Sequence, residues 1–339
     1  MTDGLEVMLL AAVSASSFAA TGIVRRRALS YRHLDEPGPR SSHATPTPNS
    51  GGVALVAVYL SAIALLRVVD AMAAGPFIAL FGGGAAVAAV GLWDDRSPVS
   101  AWVRVGVHIA ACGWAIYWLG GIPALPLGDI SVEMGPAGFV VGVIASAWLL
   151  NLYNFMDGID GLAAIEAITV LAGACLIIAA GDPHASFLCL GLLAAAAFGF
   201  LPWNWPPARI FMGDIGSGFL GFGLAVLAID TAGAGALSIW SWIILMGVFI
   251  VDATVTLVRR MISGQQWYLA HRSHAYQHAA VRCGSHQPVT LAVLAIDVVW
   301  LLPLAWYVNN HPDEGVVVVG LALAPLIMLA LVLDAGRGG

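Results

Sequence analysis

Apolar stretches of roughly twenty residues, the length that crosses about 30 Å of hydrocarbon, recur along this chain. Eleven such windows begin near residues 5, 51, 74, 100, 136, 162, 185, 216, 238, 289 and 315. All read as helices, since open strands cannot satisfy their backbone in lipid. The expectation is therefore an all-α, polytopic membrane protein: a single domain over residues 1–339 with about eleven transmembrane helices. A chain that is 60% hydrophobic and 10% charged, with mean hydropathy +0.87, is excluded from the soluble globular class.

Orientation follows from arginine, the only strongly basic residue present, because the chain has no lysine. Arg25, Arg26, Arg27, Arg32, Arg40, Arg96, Arg209, Arg259, Arg260, Arg272, Arg282 and Arg337 fall in alternate connections. By the positive-inside rule those connections are cytoplasmic, which places the N-terminus outside and the C-terminus inside. The first apolar window is followed by its positive cluster, the reverse of a cleavable signal, and is expected to remain as a helix. The expected cytoplasmic loops are residues 25–50, 94–99, 156–161, 202–215 and 259–288. Three of the four cysteines lie inside apolar windows, which gives no disulfide or thiolate-metal pattern. Nothing points to nucleic acid, and no internal repeat of the kind expected in a secondary transporter is visible.

In a chain that avoids charge, five aspartates sit where apolar windows end on that one face: Asp94 and Asp95 in GLWDDR, Asp157 and Asp160 in NFMDGIDGLA, and Asp214 in FMGDIGSGFLG. Adjacent ionised carboxylates such as Asp94 and Asp95 repel unless a cation or an arginine lies between them. Asp157 and Asp160, three apart, are expected to share a helical face that Asn151 and Asn154 extend. Gly213, Asp214, Gly216 and Ser217 offer oxygen ligands for a hard cation and backbone amides for a phosphate, or a plain helix cap. Three acidic clusters without thiolates favour Mg²⁺ or Mn²⁺ over zinc.

The nearby cations suit an anionic substrate. His271, Arg272, His274 and His278 crowd one late connection, and Arg40 and His43 occupy the first loop. Arg104 and His108 lie one turn apart near the cytoplasmic end of the fourth window, as functional groups or with Arg104 snorkelling to the interface. Asp252 reads as a helix-pairing residue rather than a metal ligand.

The segments DEPGPRSSHATPTPNSGG (35–52), GLWDDR (91–96), NLYNFMDGIDGLA (151–163), FMGDIGSGFLG (211–221), FIVDATVTLVRR (249–260) and HRSHAYQH (271–278) together resemble the polyprenyl-phosphate sugar-1-phosphate transferases, glycosyltransferase family 4. The match runs along nearly the whole chain, and HRSHAYQH is most similar to the branch that initiates O-antigen and related surface polysaccharides. The resemblance implies an enzyme of the bacterial inner membrane with its active site on the cytoplasmic face. It would transfer a sugar 1-phosphate from a UDP-N-acetyl sugar to undecaprenyl phosphate, with Mg²⁺ and release of UMP. By position, Asp214 would be the principal metal ligand, and Asp94 and Asp95 would lie beside the metal and the lipid phosphate. Asn154, Asp157 and Asp160 would contact nucleotide or diphosphate. His271, Arg272 and His274 would bind the donor's phosphates or sugar, with Arg40, His43 and Arg104 as further substrate contacts.

Two departures stand out. Ala275 interrupts the adjacent histidines common in the family, and Pro48, Asn49 and Ser50 stand where a basic residue commonly precedes the glycines. The alternatives are a phospho-MurNAc-pentapeptide transferase and, from another class, a membrane transporter. Sugar identity, a homodimeric or monomeric state, and direct attack or a covalent aspartyl intermediate stay open.

Overall fold

A computed structural model of the chain describes residues 3–38, 45–181, 186–266 and 271–337. Each of the eleven windows folds as helix: α1 (Asp3–Ser30), α2 (Gly52–Val68), α3 (Ala74–Arg96), α4 (Ala101–Leu119), α5 (Gly135–Met156), α6 (Leu162–Ala179), α7 (Phe187–Asn204) and α8 (Asp214–Gly233). The bent pair α9 (Ile239–Leu245) and α10 (Gly247–Ile262) follows, then the short α11 (Ala275–Cys283), α12 (Gln287–Asn310) and α13 (Pro312–Val332). By length and hydropathy, eight helices among the described residues can each cross a membrane, or nine if the α9–α10 pair, bent by 73°, counts as one span. The expected count of about eleven is not reached. Helix α2 is short, and Arg104 and His108 dilute the apolar character of α4.

The all-α expectation holds apart from two small antiparallel pairs, β1 (Leu34–Asp35) with β2 (Thr47–Pro48), and β3 (Leu125–Leu127) with β4 (Ile130–Val132). The first pair matters for the site. Its strand β2 runs on beside Phe211 and Met212, with the Phe211 amide donating to the Pro48 carbonyl and the Gly51 and Gly52 amides donating to the Phe211 and Met212 carbonyls. The expected loops are also shorter than their sequence bounds. Helix α1 continues to Ser30, α10 to Ile262, and α11 folds inside the last one.

Helix α8 is the hub. Of its apolar window 89% is buried inside the protein, against 22% for α1 at the periphery. It packs against α2, α3 and α5, while α7 bridges α1 and α6. Glycine makes the closest crossing possible: a Cβ on Gly91 of α3 would stand 2.6 Å from the Ile215 nitrogen and 2.7 Å from the Asp214 carbonyl oxygen. Only a residue without a side chain lets the end of α3 reach the start of α8. Asp94 and Asp95 are thereby carried to Asp214. All four cysteines are free thiols.

Candidate active site

The adjacent aspartates at the end of α3 diverge. Asp94 Oδ1 accepts the Val99 amide at 2.6 Å, and Asp94 Oδ2 accepts Arg104 Nη1 at 2.5 Å. The same Arg104 nitrogen donates to Asp214 Oδ2 at 3.0 Å. Asp95 turns the other way, where its Oδ1 accepts the Asp214 amide at 2.8 Å and satisfies a free donor at the start of α8. The repulsion between Asp94 and Asp95 is therefore relieved by separation, with Arg104 as the cation on one side and a helix N-terminus on the other. Arg104 neither snorkels free nor leaves this task to Arg96.

Across the cavity the sequence expectation needs correcting. Helix α5 stops at Met156, and Asp157 to Gly161 form a loop that closes on Gly161 at φ 76°. Asp157 and Asp160 thus do not share a helical face. Asn151 does not extend one either, since its Nδ2 donates back to the Ala147 carbonyl at 2.7 Å. Asn154 does face the site and donates to Ser217 Oγ at 3.0 Å. Asn154, Asp157, Asp160, Asp214 and Ser217 line one polar cavity of about 260 Å³, together with Asn204 and Phe211.

Burial, then the negative charges of Asp214, Asp95 and Asp160, push the Asp157 carboxyl well above its usual range. Asp160 is held rather than free: its Oδ2 accepts the Ala208 amide at 3.0 Å and lies 3.3 Å from His286 Nδ1.

The late connection folds around Asp252, as a helix-pairing residue would. Asp252 accepts the Ala275 and Tyr276 amides, both at 2.9 Å, and so caps α11. His274 is buried at 3% exposure with Nδ1 3.3 Å from Asp252 Oδ1. It supports the helix start instead of opening onto the cavity. His271 stacks on His274 at 5.0 Å between ring centres, and its pKa is lowered to about 4 by burial first and then by His274 and Arg260. Arg272 lines a second cavity of about 440 Å³ that shares Asp160, Gln277 and His286 with the first. Arg40 and His43 lie outside the described residues. Sequence reasoning missed His286 and Asn204, neither of which stands in an acidic or basic cluster.

Among the described residues no three His, Cys, Asp or Glu side chains form a ready-made metal cage. A hard cation still fits. Asp157 and Asp214 face one cavity, the buried Asp95 carboxyl stands beside Asp214, and Arg104 offsets only part of the acidic charge. Mg²⁺ commonly binds through one or two carboxylates and takes its remaining oxygens from water and substrate phosphates.

Residues 77–232, from within α3 to near the end of α8 and including all five aspartates, match the model of glycosyl transferase family 4. That segment of the chain is similar to glycosyl transferase family 4. It is 28% identical to a decaprenyl-phosphate N-acetylglucosaminephosphotransferase of Mycolicibacterium smegmatis, over 95% of this chain and 87% of that protein. It is also 28% identical to a probable undecaprenyl-phosphate N-acetylglucosaminyl 1-phosphate transferase of Bacillus subtilis, over 83% and 78%. A phospho-N-acetylmuramoyl-pentapeptide-transferase of Synechococcus is 27% identical over 94% and 92%. The family segment delimits the Asp94, Arg104 and Asp214 constellation, whereas α11 and α12, which complete the cavity wall, lie beyond it.

Proposed function

We propose that this chain transfers an N-acetylhexosamine 1-phosphate from a UDP-sugar to undecaprenyl phosphate at the cytoplasmic face of a bacterial inner membrane. The products are undecaprenyl-diphospho-sugar and UMP, the first membrane step of O-antigen or a related surface polysaccharide. The observation that carries the reading is Arg104 of α4 bridging Asp94 at the end of α3 and Asp214 at the start of α8, beside a polar cavity lined with carboxylates. A soluble nucleotide and a membrane lipid can meet there.

In this reaction an oxygen of the lipid phosphate attacks the sugar-bearing phosphorus, and the bond from that phosphorus to the oxygen of UMP breaks. The second pKa of a phosphomonoester is near 6, so the acceptor is already mostly dianionic at neutral pH and needs no base. Asp94, with both oxygens taken, orients the Arg104 guanidinium, which supports charge on the reacting phosphates. Asp95 fixes the start of α8 and hence Asp214. Mg²⁺ or Mn²⁺, bound through Asp214 with Asp157 close by, would supply a Lewis acid that neutralises charge on the diphosphate. Asp94 is the less suitable ligand because Val99 and Arg104 occupy its oxygens. Asn154 and Arg272 would contact the donor.

The test is incubation of purified protein with Mg²⁺, undecaprenyl phosphate and a panel of UDP-sugars, measuring UMP and lipid product. UDP-N-acetylglucosamine comes first in that panel because two relatives carry that sugar in their names. UDP-MurNAc-pentapeptide belongs in it as well, given the full-length likeness to a peptidoglycan transferase. Product from the pentapeptide donor alone would replace the surface-polysaccharide reading.

A further inference from the structure

Helix α12 grips the segment carrying Asp157 and Asp160 at two depths. At the mouth, His286 Nδ1 lies 3.3 Å from Asp160 Oδ2, and Thr290 Oγ1 donates to the Asp160 carbonyl at 3.0 Å. Deeper, two acids face each other across α6 and α12. Glu166 is 0% exposed and Asp297 is 4% exposed, and each lies within hydrogen-bonding reach of the other. Thr169 Oγ1 donates to Asp297 Oδ2 at 2.7 Å. Besides Asp297, Glu166 has only the Phe249 backbone within hydrogen-bonding reach among the described residues.

From the rise of a helix, Glu166 stands about 6 Å and Asp297 about 15 Å inside its own span. Two ionised carboxylates at that depth, with no basic side chain acting on either, would carry a large desolvation cost and repel each other. One proton held between them converts the contact into a hydrogen bond, the O–H of one carboxyl donating to the other. Asp297 also opens a π-helical turn over Asp297–Leu301, a local irregularity that often accompanies functional positions in helices.

The connection to the site is short. Helix α6 begins at Leu162, directly after the Asp157–Gly161 loop, and Tyr153 Oη of α5 donates to the Ala163 carbonyl at 2.8 Å. A shift or rotation of α6 is therefore passed to Asp157 and Asp160 with little slack. We propose that the Glu166–Asp297 pair, sharing one proton, and the His286–Thr290 pair are positioning devices through which α12 sets the placement of the Asp157–Asp160 loop for the donor. The inference rests on the reading that this loop faces the UDP-sugar. None of the four residues is assigned a part in the chemistry.

The experiment compares Glu166→Ala, Asp297→Ala, Glu166→Gln, Asp297→Asn and His286→Ala in the full-length protein. It follows donor KM and kcat together with amide hydrogen exchange across residues 158–161. The alanine variants are expected to raise donor KM about tenfold, or 1.4 kcal/mol, with kcat changed less than about threefold, and to speed exchange in that loop. Glu166→Gln and Asp297→Asn, whose amides can donate to the remaining carboxylate, are expected to restore KM to within about twofold. A role in stability alone would lower the melting temperature of all variants without separating KM from kcat. Unchanged exchange and unchanged KM in the folded alanine variants would overturn the proposal. Should the buried variants fail to fold, His286→Ala at the cavity mouth decides by the same readouts. Exchange needs no turnover, so a wild type inactive on every donor would remove the proposed function while the loop measurement still judged the positioning claim.

Discussion

Asp94, Arg104 and Asp214 stand near the ends of three packed helices, α3, α4 and α8, whereas Asp157 and Asp160 stand on a loop shaped by partners far along the chain. The first group is placed by helix packing: the α3–α8 contact at Gly91 brings the carboxylates together, and one guanidinium nitrogen joins two of them. The second depends on Ala208 and His286, 48 and 126 positions from Asp160. A site divided in this way has one side fixed by helix packing, its rigid side, where the proposed function would balance charge on the reacting phosphates. Its other side can be tuned from a distance, as donor recognition would require.

The largest expected effect comes from breaking the rigid side. Arg104→Ala leaves Asp94 and Asp214 without their shared donor and should lower kcat for UMP release by about 10²–10³-fold, the loss typical of a single charge-stabilising donor. Arg104→Lys should recover little, because an ammonium does not reproduce the planar fork. A wild-type rate in either variant would remove Arg104 from the constellation. Next comes the helix crossing. Gly91→Ala should destabilise by about 1–3 kcal/mol, as overpacking does, and lower activity by displacing both aspartates, which a melting curve beside a kcat measurement would show.

On the tunable side, Asp252→Ala removes the acceptor of two amides at the start of α11. It should cost about 0.5–2 kcal/mol, the usual value of a lost helix cap, and raise donor KM more than it lowers kcat. The smallest effect concerns pH. Asp157 is raised above its ordinary 3.8, so the folded protein holds that proton more tightly than the unfolded chain. Metal-free stability should fall as pH rises from about 4 toward the raised value and level off beyond it. Melting temperatures across that range should flatten in Asp157→Asn, and an unchanged slope would contradict the assignment. His271 works in the opposite sense. With its pKa lowered from 6.5 to about 4, it adds stability that is present at neutral pH and lost as pH falls through that interval.

The rigid side was legible in the sequence and the tunable side was not. Asp94, Asp95 and Asp214 announce themselves because each ends an apolar window, and an aspartate there has few roles besides binding charge. Arg104 was visible as an intramembrane cation, yet its partners were not, since the choice among Asp94, Asp214 and lipid is made by packing at Gly91. The spacing of Asn151, Asn154, Asp157 and Asp160 follows a helical period, but Gly158 and Gly161 end the helix at Met156 and override it. His274 looks like a substrate ligand by composition and becomes a buried partner of Asp252 because α11 folds inside an expected loop. The membrane class was certain from hydropathy. The number of spans was not, because a short helix and a charged one pass for full spans in a sequence window.

The most direct test of the central claim is to follow UMP and undecaprenyl-diphospho-sugar together in wild type and in Asp214→Asn, with Mg²⁺, undecaprenyl phosphate and UDP-N-acetyl sugars supplied. The expected result is equimolar formation of both products by the wild type and their loss in the folded variant. Full activity in Asp214→Asn, or no product from any donor with the wild type, would contradict it.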